Sequence, residues 1–69
     1  MECNVSLTWD DEAYVWLASS TDVPGLALES GSLDALMERV KIAIPDLLGL
    51  KETNLTIGFH AERQAQVYV

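Results

Sequence analysis

One segment of the sequence, residues 33–48, places its apolar residues at the spacing of an α-helix, and this limits the fold more than any other feature. Apolar residues return there every three or four positions and share one helical face, whereas the segments on either side alternate. Ser32 is suited to cap the start of the helix, and Gly49 to end it. Pro45 removes one helical hydrogen bond, so we expect either a kink or a new short turn that begins with it. The apolar face consists of Leu33, Leu36, Met37, Val40, Ile44, Leu47 and Leu48.

The segment before the helix has the pattern of a β-hairpin. Residues 2–9 alternate polar and apolar side chains, as a half-buried strand does. Residues 10–12 are three consecutive acids that favour a solvated turn, and residues 13–18 resume an apolar run that favours a second strand. The sequence therefore predicts two antiparallel strands with a negatively charged tip.

Two further strands are predicted on either side of the helix. Pro24 and Gly25 have the backbone preferences required at the centre of a type II turn, and residues 26–28 follow as a short third strand. Residues 54–69 alternate again without a hairpin signal, which predicts one long or bent fourth strand.

The predicted order β-β-β-α-β defines a small α+β fold, with residues 1–69 as a single domain. Because a parallel crossover through a helix is right-handed, the fourth strand is expected beside the first, with the helix on one face of the sheet.

The second strand is apolar on both sides, although one helix can cover only one face of the sheet. A hairpin loop of two or four residues would pair Trp9 with Tyr14 and leave Val15 and Leu17 uncovered, whereas a three-residue loop would reverse the faces. Uncovered apolar surface often marks a protein contact site, and the alternative is that loops or the fourth strand cover it. The two sides of this strand are Tyr14, Trp16 and Ala18, and Val15 and Leu17.

The size and net charge of the chain limit the partners that it can bind. The chain has 69 residues, 4 Lys plus Arg against 11 Asp plus Glu, and a net charge of −7, which disfavours binding to nucleic acid or anionic lipid by this chain alone. A core this small is usually only marginally stable without disulfide bonds, bound metals or partner subunits. Because a single cysteine cannot form an internal disulfide, we expect a homodimer. The long fourth strand offers an edge for strand addition.

The sequence also predicts a cytoplasmic location. It contains no basic leader and no long apolar run, and its single cysteine, Cys3, suits a reducing compartment.

No constellation of catalytic residues stands out. His60 is the single histidine, so neither a histidine-based nucleophile relay nor a zinc cage can be assembled. The glycines form no phosphate-binding motif, and the adjacent acids at 10–12 lack convergent partners for a tight metal site. We therefore expect neither an enzyme nor a protein with a metal or another cofactor.

Three stretches of the sequence together resemble the HicB-like antitoxins, in a branch of single-domain proteins. They are the run from Trp9 to Ala18, the turn from Asp22 to Leu26, and the amphipathic segment from Leu33 to Leu48. The resemblance covers about residues 5–50, and the Asp-x-Pro-Gly turn followed by an amphipathic helix is its most diagnostic part.

The resemblance implies a partial ribonuclease-H-like sheet and an antitoxin of a type II toxin-antitoxin system. Such a protein occludes a small basic RNA-cleaving toxin, here a HicA-like partner, and an acidic inhibitor with an apolar centre suits that task. The expected partner contacts are Asp10, Asp11, Glu12, Val15, Trp16, Leu17 and Asp22.

Two other functions remain open. The chain could be an orphan interaction or structural module that keeps the fold without a toxin partner. Sheet topology alone also suggests a metal nuclease, which would need carboxylates at strand centres where Val5 and Leu7 stand.

Overall fold

The computed structural model describes residues 1–69 and contains a four-stranded sheet with one helix. The sheet has the order β3-β2-β1-β4, in which β1 pairs antiparallel with β2 and parallel with β4, and β2 pairs antiparallel with β3. The predicted α+β order is confirmed, as is the position of the fourth strand beside the first. The elements are β1 (Glu2–Asp10), β2 (Val15–Ser19), β3 (Leu28–Ser30), α1 (Leu33–Leu48) and β4 (Thr56–Glu62).

The core lies between β1 and α1. Alternation in β1 directs every second side chain toward the helix, and a stripe at spacing four in α1 meets them. These side chains are removed from water almost completely, and the turn between β2 and β3 adds Val23 and Leu26. The main contributors from β1 and α1 are Cys3, Val5, Leu7, Leu36, Val40 and Ile44.

The ends of α1 are capped as predicted. The Ser32 hydroxyl accepts a hydrogen bond from the Ala35 N–H at 3.2 Å. Gly49 takes the left-handed conformation (φ 65°) at the other end, where its N–H donates to the Asp46 carbonyl. The helix continues through Pro45 as one element, so the predicted alternative of a new short turn that begins at this proline is wrong. Lys41, whose carbonyl loses its helical donor, is exposed to water.

The predicted type II turn is present, but the third strand begins later than expected. Gly25 has a φ of 90°, and the Leu26 N–H donates to the Val23 carbonyl at 3.2 Å across Pro24. The apolar side chain of Leu26 is buried in the core from its position in the turn, and the residue does not belong to a strand. The predicted strand at 26–28 is therefore wrong, and β3 starts at Leu28.

The hairpin has a four-residue turn, and its register differs from the expected one by two residues. Tyr14 takes a positive φ of 56° and belongs to the turn, so β2 begins at Val15. Trp9 pairs with Trp16 instead of Tyr14. An even shift leaves each side chain on its face, so the structure has the alternative expected for a two- or four-residue loop, with Leu17 away from the helix, and not the one expected for a three-residue loop.

Strand β4 is shorter than the predicted strand at 54–69. Its pairing with β1 ends where Thr8 lies opposite Glu62, two residues before β1 itself ends at Asp10. Residues 63–69 make no backbone hydrogen bond and are exposed. The molecule is 52 Å long but only 19 and 18 Å across, because this segment projects beyond the sheet.

Candidate protein-binding surface

The sheet face opposite the helix, here called the open face, has no covering element. Most of its side chains are small or polar, as expected for the solvated side of alternating strands. The open face consists of Glu2, Asn4, Ser6, Thr8 and Asp10 from β1, Val15, Leu17 and Ser19 from β2, Glu29 from β3, and Thr56, Gly58, His60 and Glu62 from β4.

Two apolar residues form the centre of the open face. Leu17 lies between Thr8 on β1 and Glu29 on β3, and 37% of its surface is exposed. Val15, two positions earlier on the same side of β2, is half-buried opposite Asp10. We call Val15 and Leu17 the apolar centre.

Carboxylates flank the apolar centre, with Asp10 opposite Val15 and Glu29 opposite Leu17. The open face carries Glu2, Asp10, Glu29 and Glu62 but neither lysine nor arginine. The cations lie off this face: Arg39 and Lys41 in α1, of which Arg39 reaches the edge of β3, Lys51 in the following loop, and Arg63 on the helix side. The surface is therefore a small apolar patch with an acidic rim, and it favours a cationic partner.

A groove extends from the apolar centre around the edge of the sheet. It has a volume of about 470 Å³ and is lined mainly by apolar residues of β2 and of the turn before β3. Because β3 is only three residues long, it leaves the end of β2 without a neighbour. The lining includes Leu17, Leu26, Ala27, Leu28, Glu29 and Arg39.

The three predicted acids of the hairpin tip differ in how they are held. The carboxylate of Asp10 accepts hydrogen bonds from the N–H groups of Glu12 (2.9 Å) and Ala13 (3.2 Å), so it shapes the turn. Asp11 accepts from the Trp9 indole Nε1 at 2.6 Å. The Glu12 side chain is exposed and makes neither a hydrogen bond nor an ion pair within the chain. Glu12 is thus the tip residue whose charge is available to a partner.

Two other predicted contact residues lie away from the apolar centre. Trp16 points to the helix side, where its ring packs edge-to-face against Trp9 with centroids 5.5 Å apart. Asp22 lies beyond the end of β2, and its carboxylate accepts a hydrogen bond from the Asn4 N–H at 2.7 Å. The structure therefore brings Val15 and Leu17 together with Asp10, and gives Trp16 and Asp22 roles within the fold.

Two features of the open face were not predicted. Glu29 lies beside Leu17 on the open face. The alternation of residues 28–30 would have predicted this position if the third strand had been assigned to those residues. His60 Nε2 donates a hydrogen bond of 3.1 Å to the Asn4 Oδ1 on the neighbouring strand. This second contact depends on the register of β1 and β4, which the alternation of either strand does not fix.

The structure contains no group of three or more His, Cys, Asp or Glu side chains that could hold a metal ion. Helix α1 has 16 residues, and no helix of the structure is both long and apolar enough to cross a membrane.

Comparison with known proteins places this fold in a family. The structure is similar to the crystal structure of the hypothetical protein TTHA1013 from the extremely thermophilic bacterium Thermus thermophilus, with a TM-score of 0.82 and 34% sequence identity. The similarity covers 97% of this chain and 100% of that one. No curated protein matches the chain. Residues 2–69 match the family described as "Domain of unknown function (DUF1902)", and the chain therefore belongs to the DUF1902 family.

Proposed function

We propose that this protein is a HicB-like antitoxin of a type II toxin-antitoxin system, which neutralises a small basic RNA-cleaving toxin by direct binding. The observation that carries the proposal is the apolar centre with its acidic rim on a face that the chain itself leaves uncovered. A cytoplasmic location and a HicA-like partner belong to the same proposal.

The two parts of the surface have different roles in such a complex. The carboxylates of Glu12, Glu29 and Glu62 attract a cationic protein and speed its encounter, an effect that salt screens. Burial of Leu17 and of the adjoining groove removes apolar surface from water and slows dissociation. The complex should therefore weaken as ionic strength rises.

Co-expression with the product of the adjacent reading frame tests this function. We expect the full chain to restore growth of cells that express the toxin, and to co-purify with it in a salt-sensitive complex. Leu17→Thr keeps a residue suited to a strand but removes the apolar contact, so it should lower affinity at least tenfold. Ile42→Thr is the matched control, because Ile42 is 76% exposed on the helix and distant from the open face.

The electrostatic part is tested separately with Glu29→Gln, which keeps the shape of the side chain. We expect a lower association rate and a shallower dependence on salt, with little change in thermal stability. If no neighbouring gene product binds, or if Leu17→Thr and Ile42→Thr bind the toxin equally, the proposal is wrong.

The second candidate is an orphan interaction module without a toxin partner. It is favoured by the small size of the apolar centre, since the rest of the open face is polar and stable without a cover. A stable self-associated protein with no toxin in its gene neighbourhood would support this candidate over the first.

A further inference from the structure

The two edges of the sheet are protected to very different extents. The edge at β3 is three residues long, and Arg39 Nη1 donates to its Glu29 carbonyl at 2.8 Å. The edge at β4 spans seven residues, Thr56–Glu62, and pairs only on the side that faces β1. Long unpaired edges attract further strands, and proteins usually shorten or cover them. Nothing within the chain covers the edge of β4.

The projecting segment, residues 63–69, has the length and pattern of a strand but lacks a partner. At about 3.3 Å per residue its seven residues reach roughly 23 Å, which matches the length of β4. Its alternation continues that of β4, because the Arg63 guanidinium lies 4.0 Å from the centre of the Trp9 ring on the helix side. Val67 and Val69 follow in the same phase and are 78% and 108% exposed.

We propose that a second copy of this chain covers the edge of β4. Residues 56–68 of the two copies run antiparallel about a two-fold axis at Glu62, so that the projecting segment of each copy pairs with β4 of the other. The backbone groups of both segments are then hydrogen-bonded, and the two sheets join into one that runs from β3 of one copy to β3 of the other.

The side chains support this arrangement. Ile57 and Phe59, on the helix side of β4, pack against the core but are only half-buried. In a register that keeps the faces matched, Ala65 and Val67 of the partner subunit lie across these two residues. The contact buries apolar side chains that are otherwise exposed in both copies.

This inference goes beyond the toxin-binding proposal and does not depend on it. The dimer uses the β4 edge and the projecting segment, whereas the toxin surface is centred on Leu17 on β2. The two contacts should respond oppositely to salt. Each copy carries a net charge of −7, so screening strengthens the dimer while it weakens a complex with a basic toxin.

Sedimentation equilibrium of the full chain over a concentration series tests the dimer. We expect a two-state monomer-dimer equilibrium that shifts toward dimer at higher salt. Ala65→Pro removes one backbone donor, and Val67→Asn removes an apolar contact; each should raise the dimer dissociation constant at least tenfold. Both positions lack intrachain hydrogen bonds, so the circular dichroism spectrum of the monomer should not change. Gln66→Asn, on the opposite side of the segment, is the matched control and should leave the constant unchanged.

Disulfide trapping locates the two-fold axis. Glu62→Cys should form a disulfide with the same residue of the partner subunit under mild oxidation, because Glu62 lies on the axis in the register that places Ala65 across Phe59. The unmodified chain is the control, because its Cys3 is only 2% exposed. A chain that remains monomeric up to millimolar concentration, or a dimer that Ala65→Pro leaves intact, would overturn the inference. Either result would leave the toxin-binding proposal standing.

Discussion

The carboxylate of Asp22 accepts a hydrogen bond of 2.7 Å from the backbone N–H of Asn4, 18 residues earlier in the sequence. The neighbouring Ser20 hydroxyl donates to the Asn4 carbonyl at 2.6 Å and accepts from the Asp22 N–H at 3.0 Å. Strand β2 ends at Ser19, so these two side chains continue the hydrogen bonding of β1 where the strand no longer does. Asp22 therefore stabilises the start of β1.

Removal of this carboxylate should lower stability. Asp22→Ala leaves the Asn4 N–H without its partner, and we expect the free energy of unfolding to fall by about 1 kcal/mol, measured by urea denaturation. Asp22→Asn keeps an acceptor oxygen and should recover at least half of the loss. Equal destabilisation by the two variants would show that the charge, rather than the hydrogen bond, is what matters.

Gly58 and Asn4 should be energetically coupled. A Cβ atom on Gly58 would lie 2.8 Å from the Asn4 Oδ1, so Gly58→Ala must displace the Asn4 side chain from its hydrogen bond with His60. In an Asn4→Ala background the added methyl group meets no such obstacle and should stabilise the strand by about 0.5 kcal/mol. A double-mutant cycle in urea should give a coupling of about 1 kcal/mol. Additive effects would argue against the close contact.

The turn before β3 needs glycine at one position, whereas the residue before the helix cap tolerates alanine. Gly25 has a φ of 90°, so Gly25→Ala should lower the free energy of unfolding by about 1 kcal/mol even though no atom lies near the new Cβ. Gly31→Ala is the matched control, because its φ is ordinary and its nearest neighbour is a backbone oxygen at 3.9 Å. Thermal unfolding should rank the Gly25 variant clearly below the control; the reverse order would be inconsistent with a type II turn.

A single core truncation should remove most of the stability of so small a domain. Leu36 has no exposed surface between α1 and the sheet, and Leu36→Ala should cost about 2–5 kcal/mol. Ile42→Ala on the exposed side of the same helix should cost less than about 0.5 kcal/mol. Near-ultraviolet circular dichroism at 25 °C is expected to show loss of tertiary structure for the first variant only.

Features set by a few adjacent residues were predictable from the sequence. The Ser32 cap, the Gly49 end and the turn at Pro24 and Gly25 follow from local backbone preferences, and the structure confirms each. Alternation showed that Val15 and Leu17 share one face of β2, but which face that is depended on the length of the hairpin turn, which the sequence left open.

Features that depend on a distant partner were not predictable. Strand β4 ends at Glu62, where its pairing with β1 stops, although the alternation continues to Val69. Leu26 has the same apolar character in a turn as it would have in a strand. Glu29 could be placed beside the apolar centre only when the strand boundary was known, and the Asp22 contact joins residues whose proximity no local pattern indicates.

The parallel pairing of β1 with β4 imposes an order on folding. Strand β1 leaves the ribosome first, but its register partner for Cys3 is Ile57, more than fifty residues later. Until that residue has been made, one side of the central strand lacks its neighbour, and the nascent chain exposes a β-edge that other chains can pair with. Ribosome-bound chains that stop before β4 should therefore be more easily degraded and more prone to aggregate than the finished protein.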